Sequence, residues 1–168
     1  MQNKIDRIGF GGSCHWCTEA IFLSIKGVTK VDQGWIASEG DASDFSEAIV
    51  VSYDRKSIGL KDLIAIHLAT HSCTSAHSLR HKYRSAIYTF DNQQEVISKA
   101  AIEEIQPEYK EKIITTVISF KEFKLNTDEY LNYYYADPEK PFCQNIVNPK
   151  LRLLMNRFPN LVESDKII

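Results

Sequence analysis

The chain has 168 residues, 43% of them apolar and 25% charged, with 7 glycines and 5 prolines. That is the size and make-up of one globular domain spanning 1–168, long enough to bury a core without disulfide or metal staples. A formal net charge of −2 argues against nucleic acid or an anionic membrane as the main partner. With no apolar signal core at the N-terminus and no run near the ~18 residues of a membrane span, the chain reads as cytoplasmic.

In chain order, residues 5–12 read as a short strand ending in glycines. Residues 16–26 carry Trp16, Ala20, Phe22 and Leu23 at helical spacing, with Gly27 near the C-cap. Residues 28–37 and 47–53 read as two strands joined by the polar loop 38–44. Leu60, Leu63, Ile64, His67 and Leu68 share a helical face. After a loop rich in Ser and His comes a strand over 84–90. A helix then starts after Asp91, an N-cap with Gln94 three positions on. Pro107 ends that helix, and the β-branched run 113–120 is a further strand. Thr127 caps a short helix containing Tyr130 to Tyr134, and Pro149 opens a last amphipathic helix through Leu151, Leu154 and Met155. The order β-α-β-β-α-β-α-β-α implies an α+β sandwich, one mixed β-sheet with helices packed on it.

The chemistry concentrates at Gly11-Gly12-Ser13-Cys14-His15-Trp16-Cys17. Where a glycine-rich turn leads a strand into a helix, the first backbone N–H groups point outward unpaired. A cysteine there gains from those donors and from the positive end of the helix dipole, both of which favour the nucleophilic thiolate. Cys17, one helical turn on, is spaced to condense with an oxidised Cys14, although Cys-x-x-Cys also occurs in zinc sites. The other cysteines are Cys73 and Cys143. Four thiols so unevenly placed do not make a secreted disulfide framework.

The segment Gly-Ser-Cys-His-Trp-Cys-Thr-Glu-Ala-Ile-Phe resembles the active-site segment of the class A peptide methionine sulfoxide reductases, where a Gly-Cys-Phe-Trp-Gly-like motif opens the first helix. Three further blocks follow in the family's order. Residues 46–54 resemble the strand of the catalytic glutamate, Lys82-Tyr83-Arg84-Ser85-Ala86-Ile87-Tyr88 resembles a Gln-Tyr-Arg-Ser-Ala-Ile-Tyr strand, and Tyr134, Asp137-Pro138 and Cys143 resemble the tail that often holds a resolving cysteine. The resemblance implies a ferredoxin-like core and reduction of methionine-S-sulfoxide, free or in proteins. Cys14 would be the nucleophile and Glu47 the proton donor, kept protonated by desolvation in its β-branched strand. Tyr83 would hydrogen-bond the sulfoxide oxygen, while Trp16 and His15 would line the pocket for the substrate methyl group. Cys17 or Cys143 would resolve the sulfenic acid as a disulfide, which a thioredoxin-like reductant would reopen. No metal or cofactor is implied.

The sequence departs from that family at several points. His15 stands where a phenylalanine is usual and Ser13 where a glycine is usual. An Asn-Pro-Thr-Tyr-like stretch after Gly34-Trp35 has no match, and Ser78 occupies the place of an aspartate. These losses fall on substrate and oxyanion binding, where one missing donor costs about 10²–10³ in rate. Besides a non-catalytic relative that binds oxidised peptides, two rivals stay open on sequence. One is a thiol-disulfide oxidoreductase or redox sensor using Cys14 and Cys17. The other is a metal site built from His67 and His71, at i and i+4, with Cys73 and the neighbouring His77 and His81.

Overall fold

The computed structural model describes residues 5–132 and 147–163. The strands are β1 (Ile5–Gly11), β2 (Val28–Ala37), β3 (Ser46–Asp54), β4 (Ala86–Thr89), β5 (Thr116–Ser119) and β6 (Glu122–Leu125). The helices are α1 (His15–Leu23), α2 (Leu60–Ala69), α3 (Asn92–Ile105) and α4 (Asn148–Arg157). The six strands form one sheet in the order β5-β4-β1-β3-β2-β6, antiparallel except for the β4–β5 pair. Its central four strands, with α1 and α2 as crossovers, are the ferredoxin-like α+β core expected from the sequence.

Strand alternation sorts the residues onto two faces. On one, Ile8, Phe10, Ile49, Val51 and Tyr53 meet Ala20, Ile21 and Phe22 of α1, Leu63 and Ile64 of α2, Ala101 and Ile105 of α3, and Leu151 and Leu154 of α4. Burying each such large side chain is worth about 1.5–3 kcal/mol, so the helices are held to one layer by this face. On the other face Ile36, Ala48, Val50, Ala86 and Tyr88 form a smaller cluster closed by Phe90, Ile118, Phe120 and Phe123.

Several boundaries differ from the sequence expectation. Helix α1 stops at Leu23 because Ile25 forms a β-bridge with Val162, and Gly27 turns the chain at φ +88°. Tertiary pairing there overrides the local period. The α3 cap is as expected: the Asp91 carboxylate accepts from the Gln94 N–H (2.8 Å), and the Gln94 side chain accepts from the Phe90 N–H. The residues after Thr127 make only a 3-10 turn, Asp128–Tyr130, and residues 133–146, with Tyr134 and Cys143, lie outside the described residues. Strand β6 was not foreseen. It pairs with β2 opposite Gly34, where any side chain would overlap the Lys124 carbonyl oxygen.

Candidate functional site

Cys14 is the N-cap of α1, half-buried, in extended backbone geometry (φ −52°, ψ 130°). The turn that delivers it needs Gly12, whose φ of +150° disfavours a side chain and whose Cβ would strike the His71 ring. No side-chain capping hydrogen bond is formed. The thiol is nevertheless held below its ordinary range, first by the Cys17 thiol and then by the N–H groups of Trp16 and Cys17, against the opposing pull of burial and of Glu47. Cys17 is itself 1% exposed. No disulfide is formed among the described cysteines; Cys14, Cys17 and Cys73 are thiols.

Glu47 opens β3 on the same face as Ile49 and Val51, which brings it under the start of α1. Its side chain is 7% exposed. Oε1 accepts from the His15 backbone N–H at 3.3 Å and lies 3.4 Å from His15 Nε2, while Oε2 lies 3.6 Å from the exposed Lys82 ammonium. The Lys82 amine is held above its ordinary value, first by the Tyr83 hydroxyl and then by Glu47. Segment 82–84 is tied to β3 by two bonds onto the Lys82 carbonyl, from the Glu47 N–H (2.9 Å) and the Ser46 hydroxyl (2.8 Å). Those bonds place Tyr83 beside the site.

A cleft of about 490 Å³ opens beside Cys14, with Cys17, His71, Tyr83 and Lys150 in its wall. His15 and Glu47 are not in that wall. His15 is 4% exposed, edge-on to Trp35 at 5.1 Å, and Trp16 stacks on Tyr130 at 5.4 Å. The structure places Cys14, Cys17, Glu47, Tyr83, His15 and Trp16 in one neighbourhood, and Ser78 lies exposed outside it.

Two contributors were missed. Arg80 donates to the carbonyls of Gly12 (2.7 Å), Ser72 (2.6 Å), Ser75 (2.8 Å) and Tyr83 (2.9 Å), stapling loop 72–83 to the turn behind Cys14. Asn126, just past β6, donates to Gln33 Oε1 (2.6 Å) and faces His15 Nε2 at 3.3 Å. A lone arginine in a polar loop and an asparagine after an edge strand carry no sequence signature.

The histidines of the metal alternative are otherwise engaged. His67 Nε2 donates to the Gly11 carbonyl (2.8 Å); His71 Nδ1 donates to the His67 carbonyl (2.5 Å), and its Nε2 accepts from the Ser85 hydroxyl (2.8 Å). Burial holds His67 well below its ordinary value and brings His71 down to about 4. Among the described residues no three His, Cys, Asp or Glu side chains converge on a metal position. No helix among them is long and apolar enough to cross a membrane.

Comparison with known proteins shows what the chain resembles. Residues 6–160 match the family model "Peptide methionine sulfoxide reductase". A peptide methionine sulfoxide reductase MsrA from Nitratiruptor is 28% identical over 91% of this chain and 96% of the relative, and one from Deinococcus radiodurans is 30% identical over 86% and 78%. Among solved structures, Saccharomyces cerevisiae Mxr1 in its reduced form superposes with a TM-score of 0.75 at 23% identity, covering 83% of this chain and 90% of that one. The same protein in complex with Trx2 gives 0.62 at 24% identity, over 77% and 85%.

Proposed function

Since the chain belongs to the peptide methionine sulfoxide reductase family and is an oxidoreductase that reduces methionine sulfoxide, we propose that it acts on the S epimer through a sulfenic acid on Cys14. The observation that carries the assignment is the Cys14 thiol at the α1 N-terminus, held towards thiolate, with the Glu47 carboxyl buried next to it. The Cys14 thiolate attacks the sulfoxide sulfur. Glu47 gives one proton to the sulfoxide oxygen, which passes to the Cys14 sulfur as the substrate leaves as a thioether. Thiolate, sulfoxide and one proton become sulfenic acid and methionine. Tyr83, in the cleft wall, donates to the same oxygen, and Trp16 supplies apolar surface for the methyl group.

Cys17 then attacks the sulfenic acid, releasing water and forming the Cys14–Cys17 disulfide. Its thiol already hydrogen-bonds Cys14, which favours it over Cys143. A thioredoxin-like dithiol restores both thiols by exchange, as the Trx2 complex of yeast Mxr1 suggests for a protein of the same fold. A reducing cytoplasm suits a cycle that begins from free thiols.

The test uses the reduced protein and a methionine sulfoxide peptide of defined epimer, without reductant. One methionine per chain should form from the S epimer and none from the R epimer. Peptide mapping should then find Cys14 joined to Cys17. A wild-type chain that releases no more methionine than Cys14→Ser rejects the reading, and a Cys14–Cys143 bond rejects Cys17 as the resolving thiol.

A further inference from the structure

The cleft beside Cys14 is walled by the turn 12–14, by parts of segment 69–83 and by α4. The reaction above takes Cys14 from the first of these and Tyr83 from the second, so whatever fixes one against the other bears on the chemistry. Tyr83 is tied to the sheet through both of its neighbours. The Lys82 carbonyl accepts from the Glu47 N–H (2.9 Å) and the Ser46 hydroxyl (2.8 Å), and the Arg84 N–H donates to Ser46 Oγ (2.8 Å). These bonds set Tyr83 against β3. None of them reaches the turn of Cys14.

That turn is anchored from other elements. Gly11 ends β1, and its carbonyl accepts from His67 Nε2 of α2 (2.8 Å). Gly12 is the first residue past the strand, and its carbonyl accepts from Arg80 Nη1 at 2.7 Å. The same nitrogen donates to the Tyr83 carbonyl at 2.9 Å. A guanidinium is planar, with one hydrogen on Nε and two on each Nη, so each Nη1 hydrogen has its own carbonyl. Nε donates to Ser75 (2.8 Å) and Nη2 to Ser72 (2.6 Å), which stops the group from turning. One nitrogen atom thus joins the residue two before the nucleophile to the backbone of Tyr83.

On the reductase reading above, we infer that Arg80 is a positioning residue, which sets the Tyr83 hydroxyl against Cys14 so that both meet one sulfoxide. Arg80 is half-buried and is not in the cleft wall, so it acts through the groups it holds. The sheet fixes Tyr83 on one side, and Arg80 fixes it on the other. A misplacement of about 1 Å can cost about 10² in rate. Lysine does not replace this group, because an ammonium presents its three hydrogens from one point and lacks the planar fork.

Two measurements test this. Proton–nitrogen NMR of the wild-type chain should resolve separate Nη signals for Arg80, as hindered rotation requires. A freely rotating guanidinium overturns the inference, and this arm needs no variant to fold. The second is single-turnover methionine release from the sulfoxide peptide by wild type, Tyr83→Phe, Arg80→Lys and the double variant. Each rate is divided by the alkylation rate of Cys14 in the same chain, which removes any change in the nucleophile itself. Tyr83→Phe should slow the wild type by about 10², the cost of one lost donor, and should slow Arg80→Lys only about tenfold. An arginine that merely stabilises the loop leaves the two costs equal. Equal costs overturn the inference while the reductase reading stands, and wild-type release equal to that of Cys14→Ser removes both.

Discussion

Two imidazoles, buried His15 and half-buried His71, flank the Cys14 turn in contrasting company. His71 packs against Gly12 and bonds only a carbonyl and a hydroxyl, with Ser85 passing on to Thr115 at 2.8 Å. His15 has a carbonyl on one nitrogen and a carboxyl on the other side. Desolvation depresses both rings. What separates them is the buried carboxyl beside His15. The first neighbourhood fixes the shape of the turn, and the second sets a carboxyl beneath it.

Replacing the carboxyl of one neighbourhood and the ring of the other should give the largest contrast. Glu47→Gln is expected to slow single-turnover methionine release by about 10²–10⁴, the usual worth of a general acid. His71→Gln should slow it less than tenfold while lowering the urea midpoint. Equal rate losses in the two variants would erase the distinction.

A second contrast is read in stability against pH. His67 and His71 both have folded-state values below the ordinary ~6.5. The unfolded chain therefore binds more protons as the pH falls. Stability is intact above about pH 6.5 and is lost towards pH 4, by on the order of 1.4 kcal/mol per ring for each pH unit. His67→Phe should flatten urea-derived stability between pH 7 and 5, since a phenyl ring keeps the stack on Phe10 (4.6 Å) without the titration. A slope equal to that of the wild type would show that His67 is not the titrating group.

The smallest effect belongs far from both neighbourhoods. Asp91→Ala removes the α3 cap and should cost about 1 kcal/mol in urea unfolding, with methionine release unchanged. A change in release rate would mean that α3 communicates with Cys14, which its position does not suggest.

Much of this was legible in the sequence, for identifiable reasons. The β-branched run of β3 and the apolar stripe of α2 lie in contiguous residues, and the Gly-rich turn, Cys14 and Cys17 sit within one short segment. Asp91 and Gln94 announce α3 by themselves. Strand β6 escaped because Glu122-Phe123-Lys124-Leu125 is a four-residue edge strand with two charges in it, stabilised by its partner and not by its own pattern. The metal reading of His67 and His71 relied on helical spacing, which is blind to the Gly11 carbonyl and the Ser85 hydroxyl that each claim one ring nitrogen. The setting of His15 was the least accessible, since its partners come from positions 34, 47 and 126 and only the sheet brings them together.

Gly34 shows how narrow that meeting point is. Strand β6 lies so close to β2 there that hydrogen alone fits between the backbones, and the same residue lends the carbonyl that sets the His15 tautomer. A single methyl at position 34 would act as a spacer, lifting the edge strand and carrying Asn126 away with it. The packing around His15 thus depends on an atom the chain leaves out.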